Sequence, residues 1–166
     1  MKNLSMLTAL LLAGLAPSEL AASAMDPGKP DVIEFEAPLD GIVERLAPLC
    51  SEMEIREFDP PEFPLAEDSH RQIDCRGFQF LGKPRLAEFV FADDRLKMVW
   101  ILVDPEESEQ VISAMRSRYG SDGVESNIVI AFPEYRTAWR HEPAEVLFYS
   151  GSMSAFLESR FSPSEN

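Results

Sequence analysis

Residues 86–103 have the sequence LAEFVFADDRLKMVWILV, in which two apolar runs flank a short polar segment. The runs, 86–91 and 96–103, are rich in the aromatic and β-branched residues that favour strands. The four residues between them, Ala-Asp-Asp-Arg, are typical of a tight turn. This stretch therefore predicts an antiparallel hairpin. Because the second run is apolar on both faces in its second half, it also predicts a strand inside a sheet.

Elements on either side extend the hairpin. Strands are predicted before and after it, at 73–80, 127–132, 135–140 and 145–149. Helical spacing of apolar residues predicts helices that begin at Asp40, Asp104 and Gly151. We therefore expect an α+β fold, in which an antiparallel sheet of about six strands carries its helices on one face.

The order of elements is repeated. A helix and three strands occupy 40–103, a second helix and three strands occupy 104–150, and a final helix follows. In this order the chain resembles small exported α+β proteins of the beta-lactamase-inhibitory-protein and outer-membrane assembly accessory lipoprotein type. The resemblance covers most of the chain after its N-terminal segment, but only as an order of elements: no family motif matches, and the acylated Cys of the lipoproteins is absent. It implies a partner-binding role.

The N-terminal segment has the pattern of a secretory signal peptide. Lys2 precedes an apolar run at 4–16, and small residues follow, with cleavage expected between Ala24 and Met25. The protein is therefore expected in the periplasm or outside the cell. The chain divides into a signal peptide (1–24), a lead-in segment (25–39), a single α+β domain (40–161) and a disordered tail (162–166).

The expected compartment determines how the two cysteines, Cys50 and Cys75, are interpreted. An even number of cysteines in an oxidising environment predicts a disulfide. The alternatives are a metal pair and a redox dithiol, but the chain has no Cys-x-x-Cys motif.

Composition excludes several classes of protein. Apolar residues are 45% and charged residues 27%, which is typical of a globular domain. With 15 basic and 29 acidic residues, the formal charge is −14, which disfavours binding to nucleic acid and to anionic lipid. No segment after the signal peptide is long and apolar enough for membrane insertion. No phosphate loop, metal-ligand spacing or calcium loop occurs, so neither a metal nor a cofactor is predicted.

No catalytic residue can be nominated from the sequence. The chain has two histidines, His70 and His141, and both are predicted in solvated loops or turns. No nucleophile motif is present. The prediction is a noncatalytic interaction or accessory domain that binds a protein partner through its sheet face. The alternatives are a small hydrolase that uses carboxylates, and a binder of a small ligand between sheet and helices.

The segment 135–140, Tyr-Arg-Thr-Ala-Trp-Arg, provides the candidate binding residues. In a strand, Tyr135 and Trp139 share one face, and Arg136 and Arg140 share the other. Tyr, Trp and Arg are enriched in binding hot spots. If the aromatic face is free of helices, these four residues form a recognition platform. The alternative is that the aromatics fill the core and the arginines pair with acids such as Glu145.

Overall fold

The computed structural model describes residues 25–161, so the predicted signal peptide and tail lie outside the described residues. Three α-helices are present: α1 (Leu39–Leu46), α2 (Ser108–Tyr119) and α3 (Ser154–Phe161). Eight strands are present: β1 (Glu52–Phe58), β2 (His70–Phe80), β3 (Lys83–Ala92), β4 (Arg95–Leu102), β5 (Val124–Glu125), β6 (Val129–Phe132), β7 (Thr137–Arg140) and β8 (Glu145–Tyr149).

The strands form one antiparallel sheet in the order β1-β2-β3-β4-β8-β7-β6-β5. Two four-stranded meanders are thus joined along β4 and β8, and α2 connects them. The α+β class is confirmed, but the predicted strand number of about six is too low. The missed strands are the two edges: β1 is mostly charged, and β5 has two residues. Each half is therefore a helix and four strands.

Apolar side chains form two core clusters, one on each face of the sheet. On the first face, Ile42 of α1 and Val111 of α2 pack with residues such as Phe89. On the second face, Leu157 of α3 packs with residues such as Leu147. The prediction that all helices lie on one face is therefore wrong. Because successive residues of a strand point to opposite faces, the two-sided apolar pattern of the central strands left the side of α3 undetermined.

Asp104 caps the entry to α2 as predicted, but the α-helix itself begins at Ser108 rather than at Asp104. The Asp104 carboxylate accepts a hydrogen bond from the Glu106 N–H at 3.1 Å, and a 3₁₀ turn, Pro105–Glu107, leads into the helix. Gly120 ends the helix with φ +101°, a conformation that favours glycine. In contrast, α1 begins at Leu39 rather than at Asp40; its N-cap residue, Pro38, provides no side-chain hydrogen bond, and Asp94 Oδ1 accepts one from the Leu39 N–H at 3.4 Å.

Two interactions fix connecting segments of the fold. One holds the long segment between β1 and β2, and the other holds the chain after α1. The Asp93 carboxylate, in the β3–β4 turn, accepts hydrogen bonds from the backbone N–H groups of Glu67, Asp68 and Ser69, and these bonds lower its pKa. The predicted disulfide between Cys50 and Cys75 is confirmed, and it links the segment after α1 to β2. Within the described residues, no helix has the length and apolar character needed to cross a bilayer.

Candidate interaction surface

Polar side chains lie across the middle of the second face, on β1–β4, β7 and β8. Cross-strand pairing places Asp74 opposite Glu88, Glu88 opposite Trp100, and Trp100 opposite Leu147 of the second core cluster. Together with their neighbours these residues form a surface that we call the polar strip, made of Arg56, Gln72, Asp74, Glu88, Trp100, Arg140 and Glu145. Its exposed members include Arg56, Glu88 and Arg140, whose side chains are 40%, 27% and 32% exposed. The strip is therefore accessible from solvent.

One end of the polar strip is a hydrogen-bonded ion cluster. Arg56 binds Asp74 through two contacts, Nε to Oδ2 at 2.9 Å and Nη2 to Oδ1 at 3.1 Å. Gln72 Nε2 donates to the same carboxylate at 2.7 Å. Glu88 lies farther away, with 3.8 Å between its Oε1 and Arg56 Nη2. The Asp74 carboxylate is thus well neutralised. Glu88 receives a hydrogen bond from Gln72, but its salt-bridge partner lies at this longer distance.

The other end combines an ion pair with an aromatic ring. Arg140 forms a salt bridge with Glu145, and its guanidinium lies 4.3 Å from the centre of the Trp100 ring. Such stacking is a cation–π contact. Glu145 itself is 1% exposed. Arg140 therefore neutralises a buried carboxylate and orients the indole, and its pairing with Glu145 is the one proposed in the alternative from the sequence.

Burial in this cluster perturbs two carboxyl groups. Burial raises the pKa of Glu145 to about 7; the nearby Glu88 charge adds to the rise and Arg140 opposes it. Burial and the charge of Asp74 also raise the pKa of Glu88, against the effects of Arg56 and Arg140. The strip thus carries more negative charge than its arginines compensate, and it favours an additional cation or proton.

The raised pKa of Glu145 predicts a pH-dependent stability. A carboxyl whose pKa is higher in the folded state than in the unfolded state binds more protons when folded. Its stabilising contribution is therefore complete below the unfolded pKa, and it is lost as the pH rises through about 7. We expect the free energy of unfolding of the native protein to fall, relative to that of Glu145→Gln, between about pH 5 and about pH 8. Urea titrations of both proteins across this range measure the difference. Parallel pH profiles would contradict the assignment.

The structure separates the four residues that the sequence nominated for binding. Trp139 is 0% exposed and packs in the first core cluster, where its Nε1 donates to His141 Nδ1 at 3.3 Å. Tyr135 is 53% exposed, but it ends a 3₁₀ turn, Pro133–Tyr135, that the proline initiates. The condition for a recognition platform is therefore not met, because β7 begins only at Thr137 and the face that carries Trp139 is covered. The alternative, an aromatic residue in the core, is confirmed for Trp139. Arg140 alone of the four lies on the polar strip.

Tyr135 and Arg136 line a separate cavity of about 230 Å³. Its other lining residues are Lys29, Phe35, Arg118, Tyr119 and Tyr149. Arg118 pairs with Asp26 at 3.0 Å, whereas Arg136 forms no ion pair within residues 25–161. Three cations thus surround a cavity in a strongly acidic chain.

The histidines differ from one another. His141 lies in the turn after β7, as predicted, whereas His70 begins β2 and is buried, so its assignment to a solvated loop is wrong. Phe58 stacks on the His70 ring at 4.2 Å, and burial lowers the pKa of His70. The described part of the chain holds no group of three or more His, Cys, Asp or Glu side chains placed to bind a metal.

Sequence reasoning did not find the centre of the polar strip. Glu88 lies in the run 86–91 and Trp100 in the run 96–103, which predict strands but no binding site. A signal was present, because Asp74 and Glu88 are acidic residues within predicted strands. Only the register, which places them opposite one another, shows that these acidic residues form one surface.

Comparisons with protein families, curated proteins and solved structures identify no relative of this chain. No protein-family model matches the chain, no curated protein matches it, and no solved structure matches it.

Proposed function

We propose that the protein is an exported, noncatalytic interaction domain that binds a protein partner through the polar strip. The observation that supports this most directly is the accessible cluster of Trp100, Arg140 and Glu88 in the middle of a sheet. Trp and Arg are the residues most enriched in binding hot spots. Because the Arg140–Glu145 and Arg56–Asp74 ion pairs already hold the arginines in place, a partner would immobilise few additional side chains.

The charges indicate what the partner presents. Glu88 is partly exposed, and its closest cation is 3.8 Å away. A basic or hydrogen-bond-donating side chain of the partner would complete its environment. The formal charge of −14 would also accelerate association with a basic protein. We therefore propose a partner with a basic contact surface.

Export is part of the proposal. The disulfide between Cys50 and Cys75 fits an oxidising compartment. Mass spectrometry of the protein recovered from the periplasm or medium is expected to show a chain that begins at Met25.

Capture of a partner tests the proposed surface. The immobilised protein is exposed to periplasmic extract, in parallel with Trp100→Ala, Glu88→Ala and a matched control, Tyr135→Ala, which removes an exposed aromatic ring outside the strip. We expect one protein to be recovered by the native chain and by Tyr135→Ala, and lost with both strip variants. Thermal melting verifies that each variant is folded. Equal recovery by all four proteins, or recovery of no specific protein, would refute the proposal.

A second candidate function is supported by the cavity lined by Lys29, Arg118 and Arg136. Three cations at one cavity would suit a small anionic ligand, which corresponds to the ligand-binding alternative from the sequence. The hydrolase alternative has weaker support. Two carboxyls with raised pKa, Glu88 and Glu145, lie on the strip, but Glu145 is 1% exposed and ion-paired. A substrate could not reach it without displacing Arg140.

A further inference from the structure

The outer edge of β1 has no neighbouring strand among residues 25–161. This seven-residue strand pairs with β2 on one side, and no other described residue pairs with its opposite edge. An unpaired strand edge presents backbone N–H and C=O groups that can bind another strand. Ile55, at the centre of β1, is 48% exposed although it is β-branched and apolar. The edge therefore has both backbone groups and an apolar side chain available for contact.

We propose that β1 pairs with β1 of a second copy of this chain. The two strands run antiparallel about a two-fold axis that passes through Ile55, and the two sheets become one continuous sheet. Two-fold dimers are the commonest closed assemblies of soluble proteins. This inference goes beyond the partner-binding function and does not depend on it. The dimer contact shares Arg56 with the polar strip, but it forms along the edge of the sheet and leaves Glu88, Trp100 and Arg140 outside the contact.

The pattern of charges selects the axis. A two-fold axis perpendicular to the sheet maps each face onto itself, so residues that face each other across the new pairing come from the same face. The axis must then lie midway between the two copies of one residue, and below it is named by that residue. With the axis at Ile55, Glu54 of each copy lies opposite Arg56 of the other, and the two Ile55 side chains lie opposite one another.

Neighbouring positions of the axis bring like charges together. An axis through Glu54 sets that residue against its own copy, and an axis through Arg56 does the same for the arginine. An axis through Met53 places Glu52 of each copy opposite Glu54 of the other. Directly opposed like charges destabilise a strand pair. Among these four positions, only the axis through Ile55 avoids them.

The structure of one copy leaves the required groups available. Glu54 is exposed and forms no ion pair within residues 25–161. Arg56 binds Asp74, and its side chain is still 40% exposed. Charged residues on an edge strand usually oppose association. Here the two charges next to the axis are of opposite sign, so association gives Glu54 an oppositely charged partner instead of a like charge.

Cysteine cross-linking combined with a mass measurement tests both the dimer and its axis. Residues opposite one another in an antiparallel pair have Cα atoms roughly 4.5–5.5 Å apart, within the range that a disulfide spans. Ile55→Cys is therefore expected to form a covalent dimer under mild oxidation. Met53→Cys is the matched control, because the two copies of this position lie roughly 13 Å apart along the strands. Both side chains are on the same face, and neither is part of the native disulfide.

Sedimentation equilibrium of the native protein, with no cysteine introduced, is expected to give the mass of a dimer. Glu54→Lys places a lysine opposite Arg56 and is expected to give a monomer, whereas Glu109→Lys on α2, with the same change in charge, is expected to remain dimeric. A monomeric native chain at every concentration tested would overturn the proposal. So would cross-linking of Met53→Cys in place of Ile55→Cys, or a dimer that Glu54→Lys leaves intact. Loss of partner capture with an intact dimer would instead refute the proposed function alone.

Discussion

Replacing Trp139 with Ala is expected to lower the free energy of unfolding by about 3–5 kcal/mol. The indole is 0% exposed and packs in the first core cluster, opposite Ile130 and Val146 on the neighbouring strands. Its removal leaves a cavity in a core that cannot fully collapse, since the sheet fixes the backbone on both sides. The hydrogen bond from its Nε1 to His141 is also lost. Chemical denaturation followed by far-ultraviolet circular dichroism measures the change.

Tyr135→Ala is the matched control for this prediction. Its side chain is 53% exposed, and surface substitutions usually change stability by about 0.5 kcal/mol or less. Both variants remove a large aromatic ring, so the main source of the contrast between them is the burial of Trp139. Similar losses of stability in both variants would contradict the placement of Trp139 in the core.

Replacing both Cys50 and Cys75 with Ser is expected to lower the free energy of unfolding by about 3 kcal/mol in the chain-entropy description. The bond closes a loop over a sequence separation of 25 residues. That loop includes the edge strand β1, which has one neighbouring strand, and the segment that Asp93 holds through backbone hydrogen bonds. Without the bond, the unfolded chain gains conformational freedom that folding must then remove.

Thiol titration and chemical denaturation of the purified protein together test this prediction. The native chain is expected to contain no reactive thiol until it is unfolded in the presence of a reductant. Addition of a reductant to the native chain is expected to produce the same loss of stability as the double substitution. Two free thiols in the purified protein, or equal stability of the native and Ser-substituted chains, would contradict it.

The local elements could be predicted because their signals are local. The turn at Asp93 and Asp94 lies between two strongly apolar strands. The 3₁₀ turn that leads into α2 has an aspartate cap and a proline, and α2 ends at a glycine. The edge strand β1 could not be found in the same way. Its alternation is interrupted by Glu57. Met53 is only partly buried against the first core cluster and Ile55 is largely exposed, so few of its positions needed to be apolar.

The positions of the elements relative to the sheet depend on contacts that periodicity does not encode. Leu157 and Phe161 show that α3 has an apolar side, but either face of the sheet offers apolar residues to cover it. The polar strip also depends on such contacts, because it forms only where particular strands are neighbours. Trp100 is one of several apolar residues in β4, and only its pairing with Glu88 and its contact with Arg140 distinguish it from a core residue.

The central claim, that the polar strip binds a partner protein, is tested most directly by photo-cross-linking in the living cell. A benzophenone amino acid is introduced at position 100, and at position 135 as a control, so that an aromatic side chain replaces an aromatic side chain at both sites. We predict a covalent adduct with a second, basic protein from position 100 and none from position 135. The absence of an adduct at position 100, or the same adducts from both positions, would contradict the claim.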